Sequence, residues 1–150
     1  MQTQDTRKHL SEYNRIFKEN DDLYRSAAKS LGLSDCAFWI LYALREDKGE
    51  LTQSALCEST YLPKQTINSA LKKLEQDGCI ELKEMRDRRS KKVCLTPKGI
   101  QLAEKTVDRV IAAEQDAFAG LAAEEIERFL QLYRKYTALL KANMPKSDST

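Results

Sequence analysis

The stretch from Pro63 to Asp77 holds the side chains best suited to recognising another molecule. Read at 3.6 residues per turn, Ile67, Ala70, Leu71 and Leu74 share one face of a helix. Opposite them lie Gln65, Asn68, Ser69 and Lys72, with Lys64, Thr66 and Lys73 flanking that stripe. Amides and hydroxyls hydrogen-bond base edges, whereas lysines meet phosphates. A helix bearing this face has the chemistry and the width to enter a major groove. The same face, taken alone, is also that of an ordinary solvated helix.

A second basic feature follows. Met85-Arg86-Asp87-Arg88-Arg89-Ser90 forms a polar tip between two alternating segments, with Lys91 and Lys92 just behind it. Arginines carried on a narrow ribbon can enter a minor groove, where the negative potential is strong. Asp87 would be costly there without a structural task, and the expected one is to pair with a neighbouring arginine and hold the loop in shape. Taken alone, the tip could equally be a charged turn that keeps a hairpin soluble. The combination of polar helix and basic ribbon is what favours nucleic acid.

The elements that must position these groups are mostly helical. Leu10, Tyr13, Phe17, Tyr24, Ala27, Ala28 and Leu31 recur at helical spacing until Gly32. Ser34 can cap a second helix with Phe38, Leu41, Tyr42 and Leu44 on its apolar side, ending near Asp47-Lys48-Gly49. Thr52 opens a short third helix carrying Ala55 and Leu56. After a tight turn, Pro63 suits the first position of the fourth, and Gly78 stops it. Ile80 and Leu82 alternate with Glu81 and Lys83, and Val93 and Leu95 flank Cys94, which predicts a two-stranded hairpin. Thr96-Pro97 starts one further helix through Ile100, Ala103, Val107, Val110, Ala117 and Leu121, broken at Gly120. A last helix carries Ile126, Phe129, Leu130, Tyr133, Tyr136, Leu139 and Leu140, and Pro145 to Thr150 reads as a frayed tail.

Bulk properties agree with one globular domain of 150 residues, 41% hydrophobic and 32% charged, with five glycines and three prolines. From Leu51 to Gly99, ten basic residues stand against six acidic ones, a surplus of four. The remainder carries −2 of the overall +2, so the positive charge is concentrated in the middle. No apolar run approaches a bilayer span, and the start has neither the basic cluster nor the apolar core of a signal peptide, so a cytoplasmic location is expected. The cysteines, Cys36, Cys57, Cys79 and Cys94, are isolated and expected to be free thiols. With a single histidine, His9, they suggest no metal site, and no cofactor is expected.

Placed in order, Leu51-Thr52, Lys64-Gln65-Thr66, Lys73-Leu74-Glu75-x-x-Gly78-x-Ile80, Asp87-Arg88-Arg89 and Val93-x-Leu95-Thr96-x-x-Gly99 resemble the signature of the MarR family. These motifs cover about a third of the chain, and the flanking helices resemble the family's dimerisation region. The resemblance implies a mainly α fold with a small β-hairpin wing. It divides the single domain into a winged helix-turn-helix lobe at about 34–99 and dimerisation helices at about 1–33 and 100–145. It implies a homodimer that binds double-stranded DNA, each subunit placing one recognition helix in a major groove and one wing in the adjacent minor groove. On that reading Lys64, Gln65, Thr66, Asn68, Ser69, Lys72 and Lys73 of the helix, with Arg86, Asp87, Arg88 and Arg89 of the wing, form the DNA-binding set. Asp87 matches the wing aspartate that positions an arginine, and Arg88 or Arg89 matches the groove arginine, Arg89 being preferred. Pro63 and Cys79 depart from the residues common in the family. The implied role is transcriptional regulation, repression more often than activation.

Control by a small aromatic or lipophilic effector follows from the same resemblance, and Tyr13, Phe17, Trp39 and Tyr42 are candidates for its pocket or, more simply, core residues. Cys36 lies in the first turn of the second helix, where the helix dipole can lower a thiol pKa, so a redox-sensing regulator is an alternative, although Ala37-Phe38-Trp39 directly after it equally suit a buried thiol. A winged helix used only for protein contact is another, disfavoured by the basic wing. No Gly-rich phosphate loop or nucleophile elbow is present, so the chain is not read as an enzyme.

Overall fold

The computed structural model describes residues 2–86 and 91–146. The chain divides into two compact units, Met1–Ile111 and Ala112–Thr150. Among the described residues no helix is long and apolar enough to cross a membrane.

The first unit begins with α1 (Gln2–Ser30), which ends at Gly32 in the left-handed region (φ 75°). Ser34 caps α2 (Asp35–Glu46), its Oγ accepting from the Ala37 amide at 3.1 Å. β1 (Glu50–Thr52) passes directly into α3 (Gln53–Thr60), capped by Thr52 Oγ1 accepting from the Ala55 amide at 3.1 Å. α4 (Lys64–Gln76) follows after a short turn. β2 (Ile80–Glu84) and β3 (Lys91–Leu95) lead into α5 (Pro97–Lys105).

α2 lies at the centre of this unit because both of its sides are apolar. Ile40, Ala43 and Leu44 pack with Leu56 of α3, Ile67, Leu71 and Leu74 of α4, and Ile80 and Val93 of the sheet. Phe38 and Leu41 pack with Ala28 of α1, Ala103 and Val107. Fully burying a side chain of this size contributes on the order of 1.5–3 kcal/mol.

The sheet has three strands rather than the two that alternation predicts, in the order β1-β3-β2. Ile80 faces Leu95 and Leu82 faces Val93 in the antiparallel hairpin. β1 adds Leu51 opposite the other edge of Val93, which buries Val93 completely. Three residues that flow into a helix leave no period-two signal, so β1 shows only through pairing with a strand about forty positions away.

The long helix predicted after Thr96-Pro97 is also interrupted. α5 stops at Thr106 (φ −123°, ψ −93°), and α6 (Val107–Ala119) restarts immediately. Thr106 is buried and its hydroxyl donates back to the Leu102 carbonyl at 2.7 Å. Such back-bonding competes with the helical ladder and bends it. Asp108, in the first turn of α6, accepts twice from Arg45 of α2, at 2.8 and 2.6 Å. That pair fixes the direction of the restart, and the carboxylate also suits the positive end of the helix dipole. Hydrogen bonding to Asp108 holds Arg45 above the ordinary arginine pKa.

In the second unit, α7 (Ala123–Asn143) begins with the Glu125 carboxylate accepting from the Ala122 amide at 2.8 Å. Ile126 and Tyr136 are half-buried, but Phe129, Leu130, Leu132, Tyr133, Leu139 and Leu140 are exposed. Phe129 and Tyr133 stack on one another with ring centroids 6.0 Å apart. The residues from Ser147 onward, most of the expected frayed tail, lie outside the described residues.

Candidate nucleic-acid interface

α4 is held from below by its apolar face and from both ends by backbone fixings. Ile67, Leu71 and Leu74 are buried, while Ala70 is half-buried. At the start, the Ile67 amide donates to the Pro63 carbonyl at 3.1 Å. Pro63 is therefore the cap, and Lys64 rather than Pro63 is the first helical residue. At the other end, Gly78 (φ 76°) turns the chain out of the helix. The Lys98 ammonium and the Thr96 hydroxyl of the next element donate to the Asp77 and Gly78 carbonyls at 2.6 and 2.5 Å. Thr96 also caps α5, accepting from the Gly99 amide at 3.1 Å. One threonine thus ties the end of α4 to the start of α5.

With the apolar face fixed downward, Lys64, Gln65, Thr66, Ser69, Lys72 and Lys73 are all exposed. Their environments differ. The Ser69 hydroxyl donates to the Gln65 carbonyl at 3.1 Å, keeping its lone pairs outward. The Thr66 carbonyl accepts from the Cys36 thiol at 3.6 Å. Asn68 is half-buried, and its Oδ1 accepts from Gln53 Nε2 of α3 at 2.5 Å. Gln53 is a site residue that the sequence reading misses. Its only local signal is its place directly after the cap Thr52, which says nothing about the partner fifteen residues on.

Between α3 and α4 the chain turns through Tyr61, a non-glycine residue at φ 55° that is 92% exposed. Such a conformation costs an L-residue roughly 1–2 kcal/mol. It lets Leu62 tuck against the core while the tyrosine ring stays outside.

In the ribbon, Arg86 is exposed at the end of β2. Asp87, Arg88 and Arg89, and with them the expected aspartate–arginine pair, lie outside the described residues. Lys91 is exposed, whereas Lys92 is bound to Glu50 at 2.9 Å. That hydrogen bond raises Lys92 above the ordinary lysine pKa and keeps it cationic.

The effector candidates separate into two groups. Tyr13 and Phe17 stack on each other along α1 at 6.5 Å. Trp39 and Tyr42 join Tyr24 and Phe38 in an aromatic cluster, with centroids 5.0–6.5 Å apart. A cavity of about 280 Å³ is lined by Trp39, Tyr42, Ala43 and Glu46 of α2 and by Ser59, Thr60 and Tyr61 at the end of α3. Tyr13 and Phe17 do not line it.

Cys36 is a half-buried free thiol. Its place in the first helical turn points to a lowered thiol pKa, but burial pushes the thiol up instead. The cause is desolvation, which disfavours the thiolate.

A supporting helix, a tight turn, a solvent-facing polar helix and a β-ribbon behind it define a winged helix-turn-helix protein. Residues 31–90 match the model of the MarR family. The uncharacterised HTH-type transcriptional regulator YwoH of Bacillus subtilis (strain 168) is 27% identical over 105 residues, spanning 70% of this chain and 76% of that protein. A MarR-family transcriptional regulator from Silicibacter pomeroyi is 25% identical, with TM-score 0.65 over 90% of this chain and 89% of that one. S. aureus MepR, solved as a DNA complex, is 22% identical, with TM-score 0.66 over 87% and 96%. Over residues 31–90 the chain matches the MarR family model, and its winged helix-turn-helix fold is that of the MarR-family regulators it resembles.

Proposed function

We propose that this regulator is a cytoplasmic repressor that binds a pseudo-palindromic operator as a homodimer, with α4 in the major groove and the Arg86–Arg89 ribbon in the adjacent minor groove. The observation that carries the reading is the exposed stripe Lys64, Gln65, Thr66, Ser69, Lys72 and Lys73, set opposite three buried anchors of the same helix. Gln65, Thr66, Asn68 and Ser69 read base edges. Lys64, Lys72 and Lys73 take phosphates. Arg89, braced by Asp87, enters the minor groove beside Arg86 and Arg88.

The domain division follows from the same reading, with 34–99 as the DNA-binding lobe and 1–33 with 100–145 as dimerisation helices. Its support is the uncovered apolar surface of those helices: Leu10, Ile16, Phe17 and Leu23 on α1, and the phenylalanine, tyrosine and leucines of α7. Helices this apolar on one side are normally completed by another surface, and a second copy supplies one of the same kind. A two-fold dimer places its recognition helices about one helical turn of DNA apart. The cavity beside Trp39 and Tyr42 supports control by a small aromatic or lipophilic effector, because its far wall is the turn that sets the start of α4.

Selection of bound sequences from random duplexes tests the whole reading. The expected result is an inverted repeat with half-sites roughly one turn, or about 10 base pairs, apart. Binding without enrichment of any sequence would overturn it.

A further inference from the structure

The cavity between α2 and the end of α3 has a charge and an aromatic geometry that limit what can fill it. Trp39, Tyr42 and Tyr61 are its aromatic walls. Trp39 and Tyr42 stand edge to face, at 66° with centroids 5.3 Å apart, so the two rings form a corner. Tyr61, on the turn after α3, adds a third ring whose exposure leaves it room to move over an occupant.

Glu46 supplies the only formal charge of the lining. Among the described residues it makes no ion pair. Arg45, its neighbour in sequence, is drawn to Asp108, donating to it at 2.8 and 2.6 Å. The hydroxyls of Ser59 and Thr60 both donate to the Leu56 carbonyl, at 3.3 and 2.7 Å. Their oxygens therefore offer the cavity lone pairs rather than hydrogens.

These features favour one sign of charge. A cation within about 6 Å of an aromatic centroid is attracted to the negative face of the ring, most strongly where water is excluded. Rings that meet at a steep angle let one cation touch more than one of them, and a nearby carboxylate adds Coulombic attraction. An anion in the same place would face Glu46, and no lysine, arginine or histidine of the lining would balance it. A volume of about 280 Å³ stands at the small end of ligand sites, which suits one ring and a compact head group.

We propose that this cavity binds small lipophilic ammonium ions, with the ammonium in the corner of Trp39 and Tyr42 beside Glu46 and with Tyr61 closing over it. This deepens the effector reading of the cavity and rests on it for the regulatory consequence. Only Leu62 and Pro63 separate Tyr61 from the first residue of α4. A ligand that draws Tyr61 inward therefore acts on the turn that sets the start of the recognition helix.

Trp39 is the single tryptophan of the chain, so its fluorescence reports from the cavity wall. The test titrates the full-length protein, without DNA, with benzyltrimethylammonium, with its uncharged carbon isostere neopentylbenzene and with benzoate. The ammonium should bind roughly tenfold more tightly than the isostere, the isostere being equal in shape and lacking only the charge. Benzoate should bind more weakly than either. Glu46→Gln, a change at an exposed position, should weaken the ammonium by about two- to fivefold, the range for a partly exposed ion pair, and leave the isostere unchanged. The proposal is overturned if the ammonium leaves Trp39 fluorescence unchanged, if the isostere or benzoate binds as tightly, or if Glu46→Gln binds the ammonium as the wild type does. Anisotropy titrations on a selected duplex, with and without saturating ammonium, form a separate arm and should show at least about a fivefold change in DNA affinity. Ammonium binding with DNA affinity unchanged would overturn the effector reading and leave the cation site standing.

Discussion

Gly99→Ala should loosen the seat on which α4 and the ribbon both rest. A Cβ built on Gly99 would lie 1.9 Å from the Cys79 carbonyl oxygen, 2.9 Å from its carbon and 3.1 Å from Leu95 Cδ2. Real Cβ contacts essentially never fall under 3.0 Å, so α5 must withdraw from the backbone at Cys79 by at least 1.1 Å, the difference between 3.0 and 1.9 Å. The clashing atom is backbone, held in place by accepting from the Thr96 amide at 3.0 Å, so no side-chain rotation relieves it. Overpacking costs about 1–3 kcal/mol and the strained hydrogen bond about 1 kcal/mol more. Replacing a helical glycine returns up to about 1 kcal/mol. The net expectation is a loss of about 1–3 kcal/mol, which for a chain of this length lowers Tm by roughly 2–12 °C. Thermal unfolding at fixed protein concentration measures it. Gly120→Ala, whose Cβ would come no closer than 3.3 Å to its nearest neighbour, is the comparison and should stay within about 1 kcal/mol of wild type. A Gly99→Ala protein that melts at or above the wild-type temperature would refute the packing argument.

Arg89→Ala should weaken DNA binding strongly and flatten the plot of log affinity against log salt by about 0.9 for each phosphate no longer neutralised, and unchanged affinity would remove the ribbon from the interface. Charges introduced on α7, as in Phe129→Glu with Leu132→Glu, should shift sedimentation from dimer to monomer, since those side chains are already exposed in one chain; a dimer that persists would place the interface elsewhere. Cys36 should alkylate more slowly with iodoacetamide in the native protein than in urea. Its raised pKa means that the thiolate fraction grows only as pH climbs beyond the ordinary thiol range, so deprotonation of this group destabilises the fold at alkaline pH and leaves it untouched below. Equal native and unfolded rates at pH 8 would contradict that burial.

The division of labour between sequence and tertiary structure follows the range of the forces involved. Every stretch whose pattern repeats within one or two turns was legible directly: the apolar stripe of α4 and its polar opposite, the caps Ser34 and Thr52, the stop at Gly78, and the alternation of β2 and β3. These features depend on neighbours three or four residues away, so the chain carries them locally. The chemistry of the polar stripe was legible for the same reason, because residue type and helical phase together say which groups face out. What needed the tertiary structure was whatever depends on a distant partner. β1 exists through Val93, the interruption at Thr106 is fixed by Arg45 meeting Asp108 across 63 positions, and Asn68 is oriented by Gln53. Cys36 makes the same point in energetic terms: its position along the helix predicts a lowered pKa, and only the packing around it, which removes water from the thiolate, reverses the sign.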